Sequence, residues 1–218
     1  MNTFFENFIA QLFATSYLEW MAVVLAVVYL ILAIKENSWC WVSAFFSTAI
    51  YVYLFFDINL FMESFLNFYY LIMAVYGWQQ WQQGKPQEQT TSSAKRIITW
   101  QCKYHFYAML CCSFLIVVSY WLLSHYTQQA YPLLDSTTTW LAIFTTYLVT
   151  QKVLENWLYW VVIDLLSIYL YLEKGMALTA LLFVGYVALS IVGFFSWKRH
   201  FSLLSNSTVK TEFTELKN

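Results

Sequence analysis

Long apolar runs, each about the length of a bilayer-spanning helix, alternate with short polar breaks along most of the chain. Seven such runs cover residues 17–34, 39–56, 60–81, 104–123, 137–152, 157–172 and 176–197. They are long and unbroken, unlike the short alternating segments of a barrel, and Pro and Gly are scarce. The pattern predicts an all-α membrane protein with seven transmembrane helices. Residues 1–16 place Phe4, Phe5, Phe8, Ile9, Leu12 and Phe13 at helical spacing. That segment is too short to span and predicts an amphipathic lead-in at the interface. The stretch 84–93, rich in Gln, Thr and Ser and holding Pro86, predicts a polar loop. Pro132 and Asp135 mark a second loop before the fifth helix. The Ser/Thr-rich, charged tail 198–218 predicts disorder.

Polar residues interrupt the runs in a recurring way. Glu36-Asn37 followed by Trp41 is echoed by Glu155-Asn156 followed by Trp160, at an offset of 119 (155 − 36), and that offset carries Trp78 onto Trp197. The echo predicts one three-helix unit used twice, over 17–81 and 137–197. The intervening residues 82–136 then hold a polar loop, one linker helix and an outer loop. A unit of three helices would invert if copied directly. The single linker helix restores its direction, giving a 3+1+3 arrangement of parallel repeats about an axis along the membrane normal. Repeats of this kind frame a solute pathway.

Composition supports the class: 61% apolar, 22% aromatic and 11% charged residues, where a soluble domain carries about a quarter charged. The net charge of −1 is uninformative, but its distribution is not. Lys35, Lys85, Lys95, Arg96, Lys103, Lys152, Lys198, Arg199, Lys210 and Lys217 fall on the side reached after the odd-numbered helices, and Lys174 alone on the other. This predicts a cytoplasmic C-terminus, an external N-terminus and residence in a lipid bilayer. The N-terminus lacks a basic n-region and a small-residue cleavage site, so no signal peptide is read. No basic patch suits nucleic acid. Cys40, Cys102, Cys111 and Cys112 lack metal-site spacing. Cys40 and the Cys111-Cys112 pair lie in apolar runs and read as buried thiols.

The polar residues that remain define candidate chemistry. Asn156, Trp160 and Asp164 are spaced i, i+4, i+8 and share one helix face, which Ser167 continues. Asn37, Trp41 and Thr48 repeat the theme in the second helix, and the third aligns Glu63, Asn67, Tyr70, Ala74, Trp78 and Trp81. Its copy in the seventh reads Tyr186, Ser190, Gly193 and Trp197. Facing one cavity, these stripes would hold a flat, hydrogen-bonding molecule, and their aromatic faces would attract a delocalised cation. No Arg lies in a span and Lys152 is the only Lys close to the polar stretch, which predicts discrimination against phosphorylated ligands. Plainer readings compete. Trp39, Trp81 and Trp157 suit an interfacial belt. Asn37 and Asn156 suit helix ends, Asn67 suits a bond to a neighbouring helix, and Glu155 can pair with Lys152. Asp164 is equally a structural hydrogen-bond partner. His105, His125 and His200 are scattered, and there is no nucleophile–base arrangement, metal-binding helix spacing or phosphate loop. Catalysis is therefore not expected, nor is a metal or cofactor.

Two sets of residues carry a family resemblance: Tyr76-Gly77-Trp78-Gln79-Gln80-Trp81, and Gln151-Lys152 with Leu154-Glu155-Asn156-Trp157, Trp160 and Asp164. Tyr171-Leu172, Lys174-Gly175, Thr179 to Leu182 and Asp135 to Thr139 add to it. Over residues 17–197 the chain resembles the PnuC family of bacterial vitamin transporters, specifically its nicotinamide riboside members. Asn67 is a departure, standing where Gln is common in relatives. The resemblance implies a fold similar to SWEET transporters, a homotrimer in the inner membrane, and facilitated diffusion of nicotinamide riboside trapped by cytoplasmic phosphorylation. It implies that Trp41, Tyr70, Trp78 and Trp160 frame the ring, that Asn37, Asn67, Gln151 and Asn156 bond its polar groups, and that Asp164 orients neighbours or offsets charge. A related transporter of thiamine or riboflavin is the nearest alternative, and a membrane-embedded enzyme or signalling scaffold a distant one.

Overall fold

The computed structural model describes residues 16–57, 61–82, 96–127 and 130–215. The expected lead-in helix and the polar loop at 84–93 lie outside these residues. Seven helices are present among them: α1 Tyr17–Ile34, α2 Cys40–Asp57, α3 Phe61–Gln82, α4 Cys102–Tyr126, α5 Pro132–Thr150, α6 Asn156–Glu173 and α7 Ala177–Glu215. Ser16 caps α1 by accepting the Glu19 N–H at 3.2 Å. Two boundaries depart from the sequence expectation. Pro132 opens α5 instead of preceding it in a loop, because the first helical position needs no N–H. The tail expected to be disordered continues α7 through Glu215.

α1, α2, α4 and the 177–203 portion of α7 are long and apolar enough to cross a membrane. α5 and α6 carry more polar residues and are better shielded. α5 buries Ser136, Thr145, Thr146 and Thr150, and α6 buries Asn156, Asp164 and Ser167. By contrast α4 buries Cys112 alone and exposes Phe106, Leu110, Phe114 and Val117. Shielding by neighbours is what lets a span keep side chains that lipid would reject.

The packing contacts close a circuit: α1 on α2, α2 on α3, α3 on α5, α5 on α6, α6 on α7, and α7 back on α1. α4 packs on the outside of α5. The chain entering α4 is pinned to the α5–α6 corner by two backbone bonds. Ile98 N–H donates to the Lys152 carbonyl at 3.0 Å, and Leu154 N–H to the Ile98 carbonyl at 2.8 Å.

Matched features recur along the chain, but not at the expected offset of 119. Among the described residues, Glu36 and Lys152 are the non-glycine residues with positive φ, both at 54°, and they lie 116 apart (152 − 36). The same separation relates Trp41 to Trp157, Gly77 to Gly193 and Trp81 to Trp197. The Glu-Asn echo at 119 is thus a coincidence of letters. Equivalence is set by the backbone at the two corners, where Asn37 N–H bonds the Leu32 carbonyl at 2.9 Å as Val153 N–H bonds Leu148 at 3.0 Å.

Candidate functional site

One end of the helix circuit is built from the two matched corners. A left-handed conformation at a residue with a side chain costs on the order of 1–3 kcal/mol, and here both residues that adopt it spend their charges on each other. Lys152 Nζ lies 3.0 Å from Glu36 Oε2, at 1% and 17% side-chain exposure. The ammonium also sits 4.6 Å from the centre of the Trp81 ring. His200 Nδ1 meets the other oxygen of Glu36. The expected Lys152–Glu155 pair is not the one formed: Glu155 Oε2 accepts the Trp100 N–H at 3.4 Å.

Beneath this pair lie four indoles. Trp41 meets Trp81 edge-on at 5.4 Å, Trp81 leans on Trp197 at 6.1 Å, and Trp197 meets Trp157 edge-on at 5.4 Å. Two glycines admit the outer rings. A methyl at Gly77 would overlap the Trp41 indole, and one at Gly193 would come within 2.7 Å of Trp157. The inner rings bond across the seam between the halves. Trp81 Nε1–H donates to the Val149 carbonyl at 3.2 Å, and Trp197 Nε1–H donates to Ala33 at 3.1 Å. Trp81 and Trp157 are therefore interior residues and not belt residues, whereas Trp39, 62% exposed, fits the belt.

The inward face of α6 carries the polar set. Asn156 is fully buried, its Nδ2–H bound to the Val153 carbonyl at 2.6 Å and its Oδ1 without a partner among the described residues. Trp160, one turn on, packs against both buried apolar clusters of the molecule. A further turn on, Asp164 Oδ2 accepts from Ser190 Oγ at 3.5 Å, with both residues buried. Tyr70 of α3 packs on the cluster of Cys112, Leu141, Ala142 and Ile163, which Trp160 also touches. Tyr70 and Trp160 thus meet on one cluster, while Asp164, farther along the same face of α6, turns to Ser190 of α7. At the 116 offset, Asn156, Trp160 and Asp164 correspond to Cys40, Ala44 and Thr48. The polar site is concentrated in the second half and not mirrored in the first.

The other expected residues sit apart from this group. Asn37 is exposed and its Oδ1 accepts the Trp39 N–H at 3.0 Å, so it acts as a helix-end cap. Trp41 is closed in by Trp81, Gly77 and Tyr29. Trp78 is half-buried and edge-on to Trp39 at 5.6 Å. Asn67 turns its amide onto the Glu63 carbonyl of its own helix at 2.9 Å, not onto a neighbouring helix. Gln151 Nε2 donates to the Tyr76 hydroxyl at 3.2 Å. The cysteines are free, but Cys111 is exposed, unlike buried Cys40 and Cys112. Sequence reading missed the Glu36–Lys152 pair. The signal was two oppositely charged residues, one just past the end of the first apolar run and one closing the fifth.

The family model described as nicotinamide mononucleotide transporter matches residues 16–199. A solved structure, described as the crystal structure of the vitamin B3 transporter PnuC, is similar with a TM-score of 0.71 and 20% sequence identity, over 91% of this chain and 88% of that one. At that identity the likeness speaks for the fold. No curated protein matches in sequence.

Proposed function

The chain belongs to the nicotinamide mononucleotide transporter family, and on that premise we propose that it carries the unphosphorylated nucleoside, nicotinamide riboside. It is a multi-pass membrane transporter and not an enzyme. In the proposed reading, two parallel triplets, α1–α3 and α5–α7, joined by α4 in a 3+1+3 arrangement similar to SWEET transporters, enclose the pathway. The protein sits in the bacterial inner membrane, as a homotrimer, with the charged corner facing the cytoplasm. Lys35, Lys152, Lys198 and Arg199 all gather at that end, where Ser196 Oγ also reaches the Ile34 carbonyl.

Tyr70 and Trp160 frame the pyridinium ring, Asn156 bonds its polar groups, and Asp164 offsets its charge. The reading is carried by one observation. Lys152 is the buried cation among the described residues, and it is spent on Glu36 and the Trp81 ring. A phosphate ester would need a free cationic fork, whereas a nucleoside needs none. Transport is by facilitated diffusion, and phosphorylation in the cytoplasm traps the product.

Titration calorimetry of the purified protein with nicotinamide riboside, its mononucleotide, thiamine and riboflavin tests the ligand. Selective riboside binding is expected, and equal or tighter binding of the mononucleotide overturns the choice. In proteoliposomes, uptake should stop when internal and external riboside are equal. Accumulation beyond that point would rule out passive carriage.

A further inference from the structure

Four threonines of α5 bond their own helix, and the fully buried Thr145 does not. Thr137, Thr138, Thr146 and Thr150 turn their hydroxyls onto carbonyls of their own helix at 2.7, 3.0, 2.8 and 2.7 Å. This back-bonding is always within reach of a helical Thr. Thr145 is 0% exposed, yet its Oγ1 has no hydrogen-bond partner among the described residues. A buried hydroxyl that leaves its own helix unbonded is costly unless something else meets it.

Its position says what that is. Thr145 lies one turn from Leu141 and one turn from Val149 on the same face of α5. Leu141 and Val149 belong to the two apolar clusters that Trp160 packs against, so Thr145 lies on α5 between two residues of those clusters. The matched position in the first half is Tyr29, whose ring lies 6.0 Å from Trp41. The first half fills this place with an aromatic ring. The second half leaves it to a small side chain carrying a hydroxyl.

We propose that Thr145 is a specificity-determining residue of the transport site: its hydroxyl bonds the in-plane polar substituent of an aromatic ligand stacked on Trp160. For nicotinamide riboside that substituent is the carboxamide, and this assignment rests on the transporter reading above. A hydroxyl can both donate and accept, so it matches either end of an amide.

The test compares Thr145→Val, which keeps the shape, with Thr145→Ser, which keeps the hydroxyl. Each is titrated with nicotinamide riboside and with the pyridinium riboside lacking the carboxamide, and melting temperature is recorded. Thr145→Val should lose at least about tenfold in riboside affinity, with a melting temperature equal to or above wild type. Thr145→Ser should stay within about threefold of wild type, and the analogue should be bound equally by all three proteins. Unchanged riboside affinity in Thr145→Val, or equal losses for riboside and analogue, would overturn the proposal by assigning Thr145 a packing role. If wild type instead binds thiamine or riboflavin, the riboside reading fails alone. The Val/Ser pair is then measured with that vitamin, where loss with Val and recovery with Ser uphold the residue's role and no loss overturns it. Binding of none of these ligands by wild type overturns both.

Discussion

Glu36 and Lys152 hold the same position in the two halves of the chain, share a left-handed backbone, and are bonded to each other at 3.0 Å. Each ends a helix, so the pair ties the end of α1 to the end of α5 at the seam. Removing one partner strands the other, and a stranded buried charge is far costlier than a missing pair. Glu36→Gln should therefore destabilise the protein by about 3 kcal/mol, seen as a lower melting temperature in detergent. The exchange Glu36→Lys with Lys152→Glu should recover part of that loss. No recovery would mean that the Trp81 ring, and not Glu36, is what holds the ammonium.

The two close glycines are expected to tolerate nothing larger. Gly77→Ala and Gly193→Ala each force an indole aside and should cost on the order of 1–3 kcal/mol. Gly185 supplies the control, since a methyl there meets nothing within 4 Å. Gly185→Ala should be neutral or stabilising by up to about 1 kcal/mol through helix propensity. A thermal-shift series over the three variants separates close packing from a general intolerance of α3 and α7.

Binding should divide the aromatic and amide residues by place and not by type. Trp160→Leu and Asn156→Leu should abolish riboside binding in calorimetry while the protein remains monodisperse and folded. Asn37→Ala should leave affinity within about twofold, because that side chain caps a helix end, at a stability cost of about 1 kcal/mol. Strong loss of affinity with Asn37→Ala would return the α1–α2 corner to the site.

Asp164 makes a charge prediction. Oxidised nicotinamide riboside carries a positive ring and its reduced form is neutral at nearly the same shape. Wild type should prefer the cation, with the aromatic frame alone contributing about 0.5–2 kcal/mol. Asp164→Asn keeps an acceptor for Ser190 and should narrow that preference. An unchanged ratio of the two affinities would make Asp164 a structural partner of Ser190 only.

The seven helices, their order and the polar face of α6 were legible in the sequence, because length, hydropathy and i, i+4 spacing act locally. The alignment of the halves was not. A left-handed corner is usually announced by Gly or Asn, and here Glu36 and Lys152 stand in its place. The repeated Glu-Asn and Trp letters then drew the offset to 119. The roles of Trp81 and Trp157 were hidden for a related reason: near a span end, the same residue serves a lipid headgroup or an interior seam. Burial, the Trp81 bond to Val149 and the space that Gly193 leaves for Trp157 tell the two apart.

The Ala33–Trp197 bond also sets a schedule. The carbonyl of Ala33 emerges from the ribosome 164 residues before the indole that bonds it. At bacterial and eukaryotic synthesis rates of about 5–20 residues per second, that is a wait of roughly 8–33 s. Throughout that interval the first helix stands in the bilayer without Trp197, and Lys152 itself follows Glu36 by 116 residues. Truncation anywhere before α7 therefore releases a chain whose first helix is still unfinished, a natural substrate for membrane quality control.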